Sequence, residues 1–432
     1  MKFTKIVLLA AAMSAMVFAQ DDDAWFPTPQ PAPTASSWAT PTSQNRGGRD
    51  LNFRFGGDFS SDQYWRFENE WTKVGNGSKR RDDAEGDFYA EYLWNFRMGL
   101  DVGDKFSFDL RFSNPSGYAG DLIPFNDASG RDNEPTWLPI MPNAFFTWDV
   151  SNLLTVRGGL LEHKGNTALD LVAGAEQIRR LGFDNAGLYT SFSNWAKTYN
   201  NSQAGIHFAF DFSDMLTLNA TAAFPVNESW NAEGSDARLI FDADLDLGAL
   251  TLSPVIHARF FRNNYYDVVN EKDKNSILWA FGVDADLELG GAFNLGAGIA
   301  LGQITEFKVK DGNYSYRESM SGVLMRVSPS LDLGTSELTF NYSFGVGNQR
   351  EKVEERSDYA KETDRMIYND MLFGWQYRFN DHLAFGPFFG LTTASYVGKY
   401  DYKWEGDSEK GNYDDKFGWN STRFGLNVVA RF

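Results

Sequence analysis

Six arginines stand out by their position: Arg97, Arg111, Arg157, Arg238, Arg259 and Arg326. Each occupies the polar phase of a segment in which apolar and polar residues alternate. A guanidinium group is always charged and offers five donors. A set of them facing one cavity attracts anions. A second set is acidic: Asp101, Asp149, Asp211, Asp244, Asp246, Asp284, Asp286, Glu288 and Asp332. These lie beside short turn-like sequences, so they are expected together at the end of the structure that those turns define. Lys164, Arg179 and Arg180 form a third group in the long connection 162–203, where Leu171, Val172, Ala175, Ile178 and Leu181 recur at helical spacing. A long connection with its own secondary structure is usually functional, so these three cations are candidate site residues. The alternative is a segment lying on the rim.

Catalytic chemistry has little to build on. The four histidines are His163, His207, His257 and His382. His382 falls in a tight turn, and His207 and His257 share an inward phase on strands that are not neighbours. No nucleophile-elbow or zinc-protease spacing occurs. The chain has no cysteine, which excludes disulfides and thiolate metal sites. Asp284 and Asp286 sit two apart on one face, a spacing open to a cation, but they read as part of the acidic end. No enzyme activity, cofactor or metal is therefore expected. The formal net charge of −18 argues against nucleic acid, whose phosphates call for a basic footprint.

The alternation itself defines the elements. Phe88, Ala90, Tyr92, Trp94, Phe96, Met98, Leu100 and Val102 fill the even positions of one segment, with Glu91, Asn95, Arg97 and Asp101 between them. A period of two is that of a β-strand, whose successive side chains point to opposite faces. Gly103 and Asp104 supply a turn, and the chain returns through Phe106, Phe108, Leu110 and Phe112. Six more such hairpins follow, centred near residues 151, 213, 248, 291, 335 and 381. Seven hairpins plus a first strand from Leu51 and a last one give sixteen strands. The expected fold is therefore all-β: a transmembrane antiparallel up-and-down β-barrel of about 16 strands (14–18), with short turns at one rim and eight long loops at the other. Strands this numerous leave room for an aqueous channel. The arginines would then stand near mid-barrel and the acids at the short-turn mouth. A wall in which arginines and acids merely satisfy one another is the alternative.

Two ends of the sequence complete the pattern. Lys2 and Lys5, the apolar run 6–18 and small residues up to Ala19 make an export signal, residues 1–19. Residues 20–47, with Pro27, Pro29, Pro31, Pro33 and Pro41, read as an extended periplasmic tether, and residues 48–432 as the barrel. At the far end Phe424, Leu426, Val428, Ala430 and Phe432 form one wholly apolar face. This closing aromatic strand resembles the terminal signature of bacterial outer-membrane β-barrels, and residues 51–432 as a whole resemble the porin-like superfamily. The stretch TVRGGLLEHKGNTALDLVAG, residues 155–174, resembles the corresponding strand and loop of phosphate- and polyphosphate-selective porins, which implies a loop folded into the barrel as a constriction lined by Arg157, Lys164, Arg179 and Arg180. The resemblance implies outer-membrane localisation, outer-membrane lipid around the barrel, recognition of the C-terminal strand by the barrel-assembly machinery and assembly as a homotrimer. It also implies passive diffusion of small hydrophilic solutes, to which the arginines add a preference for anions. The other reading is a surface-binding or adhesive barrel with a plugged lumen, working through the aromatic segments 263–266, 313–316 and 396–404.

Overall fold

A computed structural model of the chain describes residues 51–75, 77–81, 85–113, 140–161, 203–225, 237–263, 274–311, 314–355, 358–403 and 410–432. The signal and tether expectations, and Lys164, Arg179 and Arg180 with their helical segment, lie outside the described residues.

Seventeen strands form one sheet. The first is β1 (Leu51–Val74), followed by the two-residue β2 (Arg80–Arg81), then β3 (Glu85–Val102) and β4 (Phe106–Ser113). Next come β5 (Ile140–Ser151), β6 (Leu154–Leu161), β7 (Gln203–Ser213), β8 (Leu216–Pro225) and β9 (Ala237–Asp246). The remainder are β10 (Leu250–Asn263), β11 (Lys274–Leu289), β12 (Phe293–Asp311) and β13 (Tyr314–Asp332). The last four are β14 (Ser336–Glu355), β15 (Asp358–Asn380), β16 (Leu383–Lys403) and β17 (Lys410–Arg431). Without the short β2, they are the sixteen strands expected. Every long strand pairs antiparallel with its sequence neighbours, and β1 pairs with both β3 and β17. The sheet thus closes into a barrel, which leaves no unpaired edge along it. Two backbone hydrogen bonds between Gly57 and Phe432, of 2.9 and 3.0 Å, pin the closing strand at its end.

Parity then separates the two faces. Phe424, Leu426 and Phe432 are exposed on the outside, with Val428 and Ala430 half-buried on the same phase. Arg423, Asn427 and Val429 are buried on the inside. The outer face carries Phe53, Phe55, Trp65, Phe67 and Phe88 on one side and Phe208, Phe210, Phe241 and Ile256 on another, all exposed. A soluble protein rarely presents so large a continuous apolar surface, whereas a barrel in lipid must. Trp148, Phe212, Phe379 and Phe385 stand exposed close to the tight turns, where an interfacial aromatic girdle would lie. Turn glycines take left-handed conformations at Gly103, Gly248, Gly290, Gly291 and Gly334, which explains their place in the hairpins.

One expectation about the connections needs correction. The segments around 313–316 and 396–404 were expected as loops, yet β12 and β13 continue to Asp311 and from Tyr314, and β16 runs to Lys403. Likewise β14 and β15 continue to Glu355 and from Asp358. Both faces are polar there, so apolar alternation fades, but backbone pairing does not depend on it: Arg350↔Thr363 and Lys352↔Lys361 remain in register.

Candidate functional site

The site to consider is the inner face of the barrel, because closure places one phase of every strand around a common interior. Register fixes which inner residues meet. Arg97 lies opposite Arg111, and its Nη2 is 3.9 Å from Asp58 Oδ1. Arg111, buried, lies opposite Asn143. Arg157 is exposed, between Thr147 and His207. Arg238 and Arg259 occupy facing positions. Arg326 donates to Ser328 Oγ at 2.8 Å and to Asn341 Oδ1 at 3.4 Å. These six do not make a single ring. Arg157 shares a row with His207, Thr221, Ile240 and His257, while Arg238 and Arg259 stand two residues farther from the tight turns. Arg326 faces Gly298, in the row of Asp284 and Ser253, nearer the tight turns.

The acids beside the tight turns have specific partners. Asp149 accepts from Thr155 Oγ1 at 2.8 Å, Asp211 from Thr217 Oγ1 at 2.7 Å, and Asp244 from Ser253 Oγ at 2.9 Å. Asp246 and Asp332 accept the backbone N–H of Gly248 and Gly334, the side-chain-to-backbone bond that fixes a turn. Asp284 is buried opposite Gly298; Asp286 and Glu288 follow on the same inner phase. Asp101 belongs to a cluster: Arg54 bridges it and Asp109, each at 2.9 Å, and Asn52 donates to Asp101 at 3.2 Å. Three strands along the sheet from β1, on β15, Arg378 does the same for Asp332 at 3.0 Å and Glu337 at 2.7 Å. In each cluster one arginine from a neighbouring strand spans two carboxylates that would otherwise repel.

Arg54 and Arg378 were absent from the sequence-based site. So was a buried group between β15, β16 and β17: Arg423 Nη2 lies 3.0 Å from Asp370 Oδ1 and 3.3 Å from Thr392 Oγ1, and Thr392 donates to Asp370. The signal was available, since Arg54, Arg378 and Arg423 all occupy the inner phase of their strands. Parity assigns a face, however, and only register assigns a partner. Around this group the inner face is closed from solvent: Tyr64, Leu372, Phe388 and Trp419 are all buried, and the rings of Tyr64 and Phe388 meet edge-on at 5.8 Å. Asn427 bridges onward, donating to Asp62 at 2.8 Å and accepting from Gln376 at 3.2 Å.

His207 Nδ1 lies 2.8 Å from Thr221 Oγ1. Among the described residues, no group of three or more acidic, histidine or cysteine side chains is arranged to hold a metal.

No family model matches the chain, and no curated protein matches it. Solved structures do. An anion-selective porin from Comamonas acidovorans is similar at 12% identity, covering 89% of this chain and 100% of that one, with a TM-score of 0.46. OmpF of Salmonella typhi is 10% identical, with coverages of 88% and 98% and a TM-score of 0.43. The outer-membrane channel DcaP of Acinetobacter baumannii is 11% identical, with coverages of 88% and 97% and a TM-score of 0.40. The chain itself is a closed antiparallel β-barrel of sixteen long strands with an apolar exterior and a charged interior.

Proposed function

We propose that the chain is an outer-membrane porin through which small hydrophilic solutes diffuse passively. The single observation that carries this reading is the division of the sheet by parity. One phase presents lipid-compatible aromatics; the other surrounds an interior lined by charged and polar groups. The tight turns then face the periplasm, and the extended hairpins face outward. Export through residues 1–19, delivery to the barrel-assembly machinery by the strand ending at Phe432, and assembly as a homotrimer belong to the same proposal. No catalytic role is proposed.

Conductance of the purified protein in a planar bilayer under a salt gradient tests it. Discrete, stable open steps are expected. The sign of the reversal potential addresses selectivity. Anion preference would come from Arg111, Arg157 and the Arg238–Arg259 pair, with Lys164, Arg179 and Arg180 adding to it if their segment enters the lumen. The acids on the inner phase work in the opposite direction, and cation preference would mean that they, rather than the arginines, line the ion path.

A second reading has one observation in its favour. The closed-off inner surface around Tyr64, Leu372, Phe388 and Trp419 suits a lumen that is partly filled. A folded protein that inserts but conducts nothing would move function to the outward-reaching hairpins and their aromatics.

A further inference from the structure

We propose that the inner wall around Arg157 and the Arg238–Arg259 pair is a docking surface for the chain's own residues 20–47, which enter from the tight-turn end and narrow the channel. The proposal rests on the export and porin reading above, in which removal of residues 1–19 frees the segment at Gln20. It replaces the expectation of a tether that stays in the periplasm.

Charge order carries it. β1 begins at Leu51, opposite Val102 and beside the tight turn at Gly103, so the segment joins the barrel at that rim. Counted back from Leu51 it is basic first, at Arg49 and Arg46, and acidic last, at Asp23, Asp22 and Asp21. The interior has the opposite order from the rim inward. At the mouth, Asp149 and Asp211 are bound by threonine hydroxyls, which leave their charge in place. Deeper in, Arg157 is exposed, and Arg238 and Arg259 occupy facing positions. Like charges directly opposite on adjacent strands are unfavourable, so an acidic segment that reaches this pair relieves the repulsion. Inside the barrel the segment meets opposite charge at both of its ends; below the rim its acids would lie beside an acidic mouth.

Length and composition fit the same path. At ordinary strand rise and tilt, Arg157 stands roughly 12 Å and the Arg238–Arg259 pair roughly 25 Å above the tight turns of their hairpins. Residues 24–50 separate the three acids from Leu51. A chain of that length reaches about 80 Å when extended and averages roughly 30 Å end to end when flexible. Its average length thus matches the span, the condition under which a tethered ligand reaches its highest local concentration, on the order of millimolar. Contacts too weak to hold a separate peptide are then enough. Pro27, Pro29, Pro31 and Pro33 keep the segment extended and remove N–H groups that would otherwise need partners inside the barrel. The wall beside the arginine pair is smooth: Ala280, Gly302, Gly322 and Gly347 share one inner register row across β11 to β14. It leaves room for Trp25 and Phe26, which follow the acids.

The test uses the full exported chain in a planar bilayer, with salt raised equally on both sides in steps. Wild-type channels are expected to close and reopen. D21N/D22N/D23N changes no barrel residue and should lower the ratio of closed to open time about tenfold, through the loss of three exposed ion contacts. R238Q/R259Q should act in the same direction, and rising salt should do so in the wild type, because exposed ion contacts are screened. Position is read separately. The chain has no cysteine, so D22C/A209C carries two thiols only; Ala209 lies two residues from His207, which is opposite Arg157. A short bismaleimide should join them, and mass spectrometry of the digest should show the crosslinked peptide. Absence of the crosslink would overturn the proposal. So would closures that persist unchanged in D21N/D22N/D23N, which would assign the lumen to another segment, such as 162–203. A crosslinked protein that never conducts, even as D21N/D22N/D23N, would support the docking and count against the porin reading alone.

Discussion

The wall from β4 to β9 and the wall from β12 through β17 to β1 are built from the same alternation, and they are described over different lengths. Described strands of the first run 8–12 residues; those of the second run 19–24. Crossing a bilayer takes about 9–11 residues per strand, so the described part of the first, the low wall, is about one such span. The second, the high wall, is described through a further storey in which neither face is apolar. The walls also settle their charges differently. Arg157 on the low wall is exposed. Arg423 on the high wall is buried with Asp370 and Thr392. The same residue type on the same inner phase therefore acts as a charge presented to the interior in one wall and as a structural clamp in the other.

Four predictions would break or sharpen that contrast. The largest effect belongs to Arg423. R423A leaves Asp370 buried without its guanidinium and should lower stability by about 3–5 kcal/mol in urea unfolding, with D370N added to it recovering part of the loss. R157A, by contrast, should stay within about 0.5 kcal/mol. Similar losses for both would erase the distinction between clamp and presented charge. Next are the two arginine bridges near the tight turns. The Arg54 side chain is 6% exposed and that of Arg378 39%. R54A should therefore cost about 2–4 kcal/mol and R378A about 1 kcal/mol in the same assay, and the reverse order would show that burial does not set their weight.

A pH effect comes third, confined to the upper storey of the high wall. Asp364 lies beyond the apolar belt, where it accepts from the Tyr396 hydroxyl at 2.7 Å. Burial, opposed by that hydrogen bond and reinforced by Glu362 and Glu351, raises its pKa to about 7. Tyr400, within 3.1 Å of Tyr396, and Gln349 and Gly398, in facing positions, complete its surroundings. The folded state thus binds a proton that the unfolded chain releases. The resulting stability is present at low pH and lost as pH rises through about 7. Amide exchange in the β15–β16 extension, corrected for intrinsic rates, should accordingly be slower at pH 6 than at pH 8, and D364N should remove most of the difference. A pH-independent wild type would sink this prediction. The smallest effect is electrical: R157Q should move the reversal potential by a few millivolts toward cations. No movement would place Arg157 off the ion path.

Much of the barrel was legible because apolar alternation marks one face of each strand as apolar and the other as polar. Phe424, Leu426, Val428, Ala430 and Phe432 could be assigned to one face without coordinates, and the seven hairpins followed from their turn residues. The upper storey was not legible for the same reason. In Arg350, Glu351, Lys352, Val353, Glu354 and Glu355 both phases are polar, so nothing in the pattern distinguishes strand from loop. The clusters were half legible. Arg54 and Asp101 could be placed on the inner phase, but their meeting, and the share Asp109 takes in it, depend on how three strands align. The levels of the six arginines depend on the same alignment: spacing from a turn does not give a common level once each strand is tilted and offset against its neighbours.

The pair of backbone hydrogen bonds between Gly57 and Phe432 also bears on time. Asn427 and Asp62, hydrogen-bonded near that seam, are 365 residues apart in the chain. Folding rates fall as contacts become more distant in sequence. The first strand must wait for the last, and until then each partly assembled sheet offers two bare edges to any other strand it meets. Pairing of β1 with β17 is therefore the natural slow step of assembly. A substitution at the seam should lengthen the lifetime of the open sheet, and so its exposure to proteases and to other copies, more than it weakens the finished barrel.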